Sequence, residues 1–198
     1  SDPATEAILL DTARTVEGQQ RVAALQALGK VRDPEAVELL LEAWDRSVRL
    51  RPTVLTALSE SRAPGALDAL LEIADDIQPA LARIYASGLA ARPERTAREV
   101  LRVLAAEEGP LADACLGALA EQADPHVTPL LVARLDEEGR LPPPESLTYL
   151  ATQGGDEGWE LLEEVLAEGS AADRSAVIWA LQSRGDEDAA LRLLDLVR

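Results

Sequence analysis

The chain has 198 residues, with 36 Asp and Glu against 19 Lys and Arg, a formal charge of −17 and an apolar share of 47%. That length suits one domain or one elongated array, and that apolar share supports a folded core despite the charge. So acidic a surface disfavours phosphate backbones, no run approaches the roughly eighteen apolar residues of a membrane span, and one Cys with one His builds neither a disulfide framework nor a His/Cys metal centre.

Ala and Leu number 35 and 34, while Phe is absent and aromatics are only 3%. Helix formers dominate and strand-favouring aromatics are scarce, so an all-α fold is expected. Two kinds of helix alternate along the chain. The first kind, A, is predicted at 3–15, 34–45, 64–76, 94–107, 125–137, 157–168 and 187–197. Most A helices open on a turn or capping group followed by Pro, as in Asp2-Pro3, Asp33-Pro34, Ala63-Pro64, Arg92-Pro93 and Asp124-Pro125. An Asp cap with Pro in the first turn is the expected start of a helix. In the last two copies Asp156-Glu157 and Asp186-Glu187 take that place.

The second kind, B, is predicted at 18–30, 48–60, 79–91, 110–122, 144–153 and 171–183. A central small residue recurs there at Ala27, Ala57, Gly88, Ala118, Tyr149 and Ala180, spaced by 30 or 31. The Leu that follows never varies: Leu28, Leu58, Leu89, Leu119, Leu150 and Leu181. A register held six times marks a repeat. The repeats span about 1–31, 32–61, 62–91, 92–122, 123–153 and 154–184, with a half repeat at 185–198. One helical pair cannot bury its own apolar face, so stacked pairs must share a core. The small residues then serve close approach between neighbouring B helices. Between 137 and 144 the stretch Glu-Glu-Gly-Arg-Leu-Pro-Pro-Pro interrupts the pattern, predicting an extended loop and a late, short fifth B helix. No Met opens the chain and its last residues stop within a helical pattern, so a fragment of a longer protein is expected.

These residues resemble HEAT-like repeats of the short, phycobilin-lyase type. The second unit carries the resemblance best, in RVAALQALGKVRDPEAVELLLEAWDRSVRLRPTVLTAL. The Arg that opens the B helix matches at Arg21, Arg51 and Arg174, and the acid that closes helix A at Asp45, Asp76, Glu137 and Glu168. Elsewhere Ala82, Ala112 and Pro143 replace the Arg, and Thr15 and Ala106 the acid. The resemblance implies a right-handed α-α superhelix of six helical pairs plus a terminal helix, with B helices on the concave face. It also implies a ladder of inter-repeat ion pairs and hydrogen bonds, intermittent here.

No constellation of catalytic residues is legible. His126, in ADPHVTPL, is not followed by the Glu that an iron-binding relative would use, and reads as an exposed polar residue. Cys115 lies where other B helices carry Ala or Val and reads as a small buried residue. Gly154-Gly155 falls at a repeat boundary, and the acidic clusters lack calcium-loop spacing. The chain is therefore expected to be no enzyme and to need no cofactor or metal.

Partner binding is expected where residues break the repeat. The position before the small residue is Gln26, Thr56, Ser87, Gly117 and Thr148, then Trp179. Tyr149 occupies the small position itself on the neighbouring B helix. Trp179 and Tyr149 are expected to anchor a partner, with Thr148, Thr152, Gln182 and Ser183 as polar surroundings. Alternatively Trp179 folds over its own helix against the terminal one. Trp44, Trp159 and Tyr85 are expected in the core, Tyr85 apart from its hydroxyl. Residues 1–99 carry 16 acids and 12 bases, and residues 100–198 carry 20 and 7, so the second half favours a protein or peptide with a basic surface. The expected function is a non-catalytic, cytoplasmic protein-interaction scaffold that binds neither nucleic acid nor membrane. The alternative is a regulatory or substrate-presenting domain of a larger enzyme.

Overall fold

The computed structural model describes residues 3–138 and 144–195. Thirteen α-helices follow one another, with three 3-10 turns and, among the described residues, no strand. The A helices are α1 (Pro3–Thr15), α3 (Pro34–Arg46), α5 (Ala66–Glu72), α7 (Arg95–Ala105), α9 (Val127–Glu138), α11 (Gly155–Glu168) and α13 (Glu187–Asp195). The B helices are α2 (Gly18–Leu28), α4 (Arg51–Glu60), α6 (Ala82–Ala90), α8 (Pro110–Glu121), α10 (Pro144–Gln153) and α12 (Ala171–Arg184). Contacts divide the chain into two compact units, Ser1–Leu101 and Arg102–Arg198.

In the first unit α2, α4 and α6 pack side by side, with α1, α3 and α5 as a second layer. In the second, α8, α10 and α12 do the same, backed by α9, α11 and α13. The layers close over a Leu-rich core. The recurrent B-helix Leu is buried at Leu28, Leu58, Leu89, Leu119, Leu150 and Leu181. A second unvarying Leu runs through the A helices at Leu10, Leu40, Leu70, Leu101, Leu131 and Leu162, each buried, with the same 30- or 31-residue spacing.

The B helices meet through small residues. A Cβ added to Gly88 would lie 2.6 Å from Cβ of Ser59 on α4, and one added to Gly29, just past α2, 2.8 Å from the Ala57 carbonyl oxygen. Gly88 and Ala57 thus each face a residue two places beyond the counterpart position on the preceding B helix. Helix starts follow the capping chemistry. Asp33 accepts the Glu35 N–H at 2.9 Å ahead of Pro34, Asp186 accepts the Ala189 N–H at 2.9 Å, and Ser170 and Asp173 form a reciprocal capping box.

Arginines tie neighbouring elements through backbone carbonyls. Arg51 reaches the Trp44 carbonyl at 3.4 Å and the Asp76 carbonyl at 3.5 Å. Arg92 donates to the carbonyls of Leu58 and Ser61, both at 3.1 Å, closing the end of α4. Arg134 donates to the Ala105 and Glu107 carbonyls at 2.7 and 3.0 Å, closing α7. Arg184 donates to the Ala151 carbonyl at 2.9 Å, near the end of α10. A cation at exposed helix carbonyls complements the negative end of the dipole. Of these four only Arg51 opens a B helix, so most of the tying falls to arginines outside the family's ladder positions.

Most boundaries agree with the sequence to within two residues. B helices predicted from 48 and 79 begin instead as 3-10 turns, Val48–Leu50 and Pro79–Leu81, before α4 and α6. Helix α5 starts at Ala66 rather than 64 because Gly65 sits at φ 83, in the left-handed region, and it closes at Glu72 rather than 76, with a separate 3-10 turn at Ala74–Asp76. The proline-rich loop lies mostly outside the described residues, and α10 begins at Pro144 as predicted.

Candidate functional site

Helices α10 and α12 lie against each other and carry all six residues singled out for binding. Trp179 is 70% exposed. Thr148, Thr152, Gln182 and Ser183 are exposed beside it on the two helices. The Thr152 hydroxyl donates to the Thr148 carbonyl at 2.8 Å, and the Ser183 hydroxyl to the Trp179 carbonyl at 2.9 Å. Both protons are thus spent within their own helices, leaving oxygen lone pairs for an incoming donor.

Tyr149 does not share this surface. It is only 6% exposed, so the expected pair of exposed aromatics reduces to Trp179. Successive helical residues diverge by about 100°. The position of Gln26, Thr56, Ser87, Thr148 and Trp179 points to solvent, whereas the next one turns toward the preceding B helix. The alternative position for Trp179, folded against the terminal helix, is not adopted.

The other aromatics lie inside or against their repeats. Trp44 is 1% exposed with the Arg51 guanidinium 4.7 Å from its ring centre, and Arg184 covers the half-buried Trp159 at the same distance. Tyr85 is fully buried, and its hydroxyl, expected outside, donates instead to the Leu70 carbonyl at 3.1 Å.

Among the described residues, reactive groups do not gather into a site. Cys115 is fully buried, and burial foremost, with the Glu107 charge adding to it and Arg134 opposing, pushes its thiol up to about 12. His126 is exposed; its Nδ1 lies 3.0 Å from Asp124, which also holds Arg102 at 2.8 Å. Burial pushes the Asp124 carboxyl up, but hydrogen bonds from Arg102 and His126 outweigh it and hold the group below its ordinary value. Among the described residues no cluster of His, Cys, Asp and Glu could hold a metal, and no helix is long and apolar enough to cross a membrane.

Two features escaped the sequence reading. A shallow groove of about 410 Å³, lined by Thr56, Ser59, Arg83, Ile84 and Ser87, opens between α4 and α6. In the second unit Leu191 and Leu194 on α13 are 54% and 60% exposed, at positions where the previous A helix carries Glu160 and Glu163. That replacement was readable from the repeat alignment.

Antiparallel helix pairs stacked in two layers, joined through a periodic small residue and a periodic Leu, define an α-helical repeat protein. Residues 6–87 match the family model described as HEAT repeats. The same alternation of A and B helices continues through α13. The match reaches HEAT repeats as a class and not the phycobilin-lyase subtype. No curated protein matches the chain.

Proposed function

We propose that the protein is a non-catalytic interaction module that docks a protein partner on the face formed by α10 and α12, with Trp179 as its anchor. One observation carries this reading. A Trp that is 70% exposed stands at a register position filled by Gln26, Thr56, Ser87 and Thr148 in other repeats. Exposing a large aromatic to water forgoes its burial energy, and exposed Trp is a frequent interface anchor. HEAT repeats commonly serve as interaction scaffolds, which fits a chain whose reactive groups are scattered. The surplus of acids in residues 102–198, 20 against 7 bases, favours a basic surface on the partner and disfavours nucleic acid.

The test is quantitative capture from lysate of the source cell by the wild type, by Trp179→Ala and by Thr56→Ala, all shown to be folded by circular dichroism. A protein retained by the wild type and by Thr56→Ala but lost from Trp179→Ala supports the docking face. Equal capture by all three forms would remove Trp179 from the reading.

A further inference from the structure

The geometry points to an arginine side chain of the partner as the group that covers Trp179, its guanidinium stacked on the indole and its N–H groups donating to oxygens of α10 and α12. This rests on the reading of that face as a docking surface and names the chemistry it takes. The chain shows the arrangement twice internally. Arg51 stacks on Trp44 at 4.7 Å and donates to the Trp44 carbonyl; Arg184 stacks on Trp159 at 4.7 Å and donates to the Ala151 carbonyl. In both, a planar cation covers the ring while its N–H groups find oxygen nearby. Trp179 is the third Trp, and among the described residues no guanidinium lies on its ring.

The surroundings of Trp179 supply the rest of that pattern. Thr152 and Ser183 offer oxygens whose protons are already committed, and Thr148 and Gln182 add two more exposed oxygens. None of these side chains is positive, and the unit Arg102–Arg198 holds 20 acids against 7 bases. The field therefore draws a cation, and the neutral face lets it settle on the ring. Arg suits the position better than Lys because its flat, weakly hydrated guanidinium can stack and donate together.

Three indole N–H signals in a protein labelled with ¹⁵N-Trp, assigned with Trp179→Phe, read the contact directly. The probes are three decapeptides of alternating glycine with arginine, lysine or citrulline, titrated in 150 mM salt. The arginine peptide should shift the Trp179 signal saturably and leave Trp44 and Trp159 unmoved. The lysine peptide should bind roughly three- to fivefold more weakly, and the citrulline peptide should leave the signal in place. Trp179→Leu should weaken the arginine peptide by at least a similar factor. Equal binding of the arginine and lysine peptides, undiminished in Trp179→Leu, would reduce the effect to bulk charge and overturn the inference. A Trp179 signal that moves with the citrulline peptide, or with protein concentration alone, would overturn it in favour of a neutral occupant or a second copy. Partner capture that depends on Trp179 while the arginine peptide leaves its signal in place would sink this inference alone. Capture independent of Trp179 would sink the docking face with it.

Discussion

Arg134 makes contacts that a lysine could not reproduce, in a chain where Lys30 is the single lysine. Its side chain, 7% exposed, bonds Asp113 at 2.7 Å and two carbonyls at the end of α7. The three contacts join α7, α8 and α9 through one planar fork. A lysine keeps the charge but brings a single nitrogen, so at least one buried carbonyl loses its donor. Arg134→Lys is expected to cost about 2 kcal/mol in urea unfolding, whereas the same change at exposed Arg174 should stay within about 0.5 kcal/mol. Asp124, whose side chain is 3% exposed, carries a pH signature. Its folded value is depressed, so its contribution is present above the unfolded carboxylate value of about 3.9 and lost as pH falls through the folded one. In a His126→Gln background, which removes the neighbouring imidazole, the advantage of Asp124 over Asp124→Asn should hold from pH 8 to pH 5 and fade below about pH 4. An advantage that grows with acidity would contradict this. Neither role is legible in sequence. Asp124 reads as a plain helix cap, and which carbonyls Arg134 reaches depends on where three helices end.

At the scale of the helix, the repeat register carries most of what the sequence reveals. A Leu or a small residue every 30 or 31 positions identifies each element, and the structure departs from the predicted ends mainly at 3-10 openings and at Gly65. The same register separates Trp179 from Tyr149. Adjacent positions look alike in a sequence motif, yet Trp179 is exposed and Tyr149 is buried. Treating both as one surface overlooked the turn of about 100° between them. Close packing of B helices gives a direct test of the register. Gly88→Ala places its methyl 2.6 Å from Cβ of Ser59 and should cost about 1–3 kcal/mol, because the helices must part. Combining Gly88→Ala with Ser59→Gly removes the obstruction. The pair should recover most of the loss in thermal unfolding, less about 1 kcal/mol for a glycine within α4. A double variant as weak as Gly88→Ala alone would show that the two positions do not face each other.

Over the whole molecule, periodicity is legible from end to end, yet the HEAT repeats match only residues 6–87. The second half keeps the Leu register but departs from the first at other positions. Ala112 and Pro143 stand in place of the opening Arg, Tyr149 occupies a small-residue position and Trp179 a polar one. Charge divides in the same way. Residues 1–101 hold 16 acids and 12 bases, and residues 102–198 hold 20 and 7. Exposed pairs such as Arg95–Glu99, 2.8 Å apart, contribute little in water, so repulsion among the unpaired acids should dominate the response to salt. Raising NaCl from 10 to 300 mM at pH 7 shortens the screening length from about 30 Å to well under 10 Å. The unfolding midpoint is then expected to rise by roughly 2–4 °C, equivalent to about 1 kcal/mol for a chain of this size. Glu160→Lys on α11, set among Asp156, Glu157 and Glu163, should raise the midpoint at 10 mM salt and lose that benefit at 300 mM. A midpoint that falls with added salt would mean that ion pairs such as Arg102–Asp124 outweigh the repulsion, and that the acidic surplus has its effect on what the protein attracts rather than on its own stability.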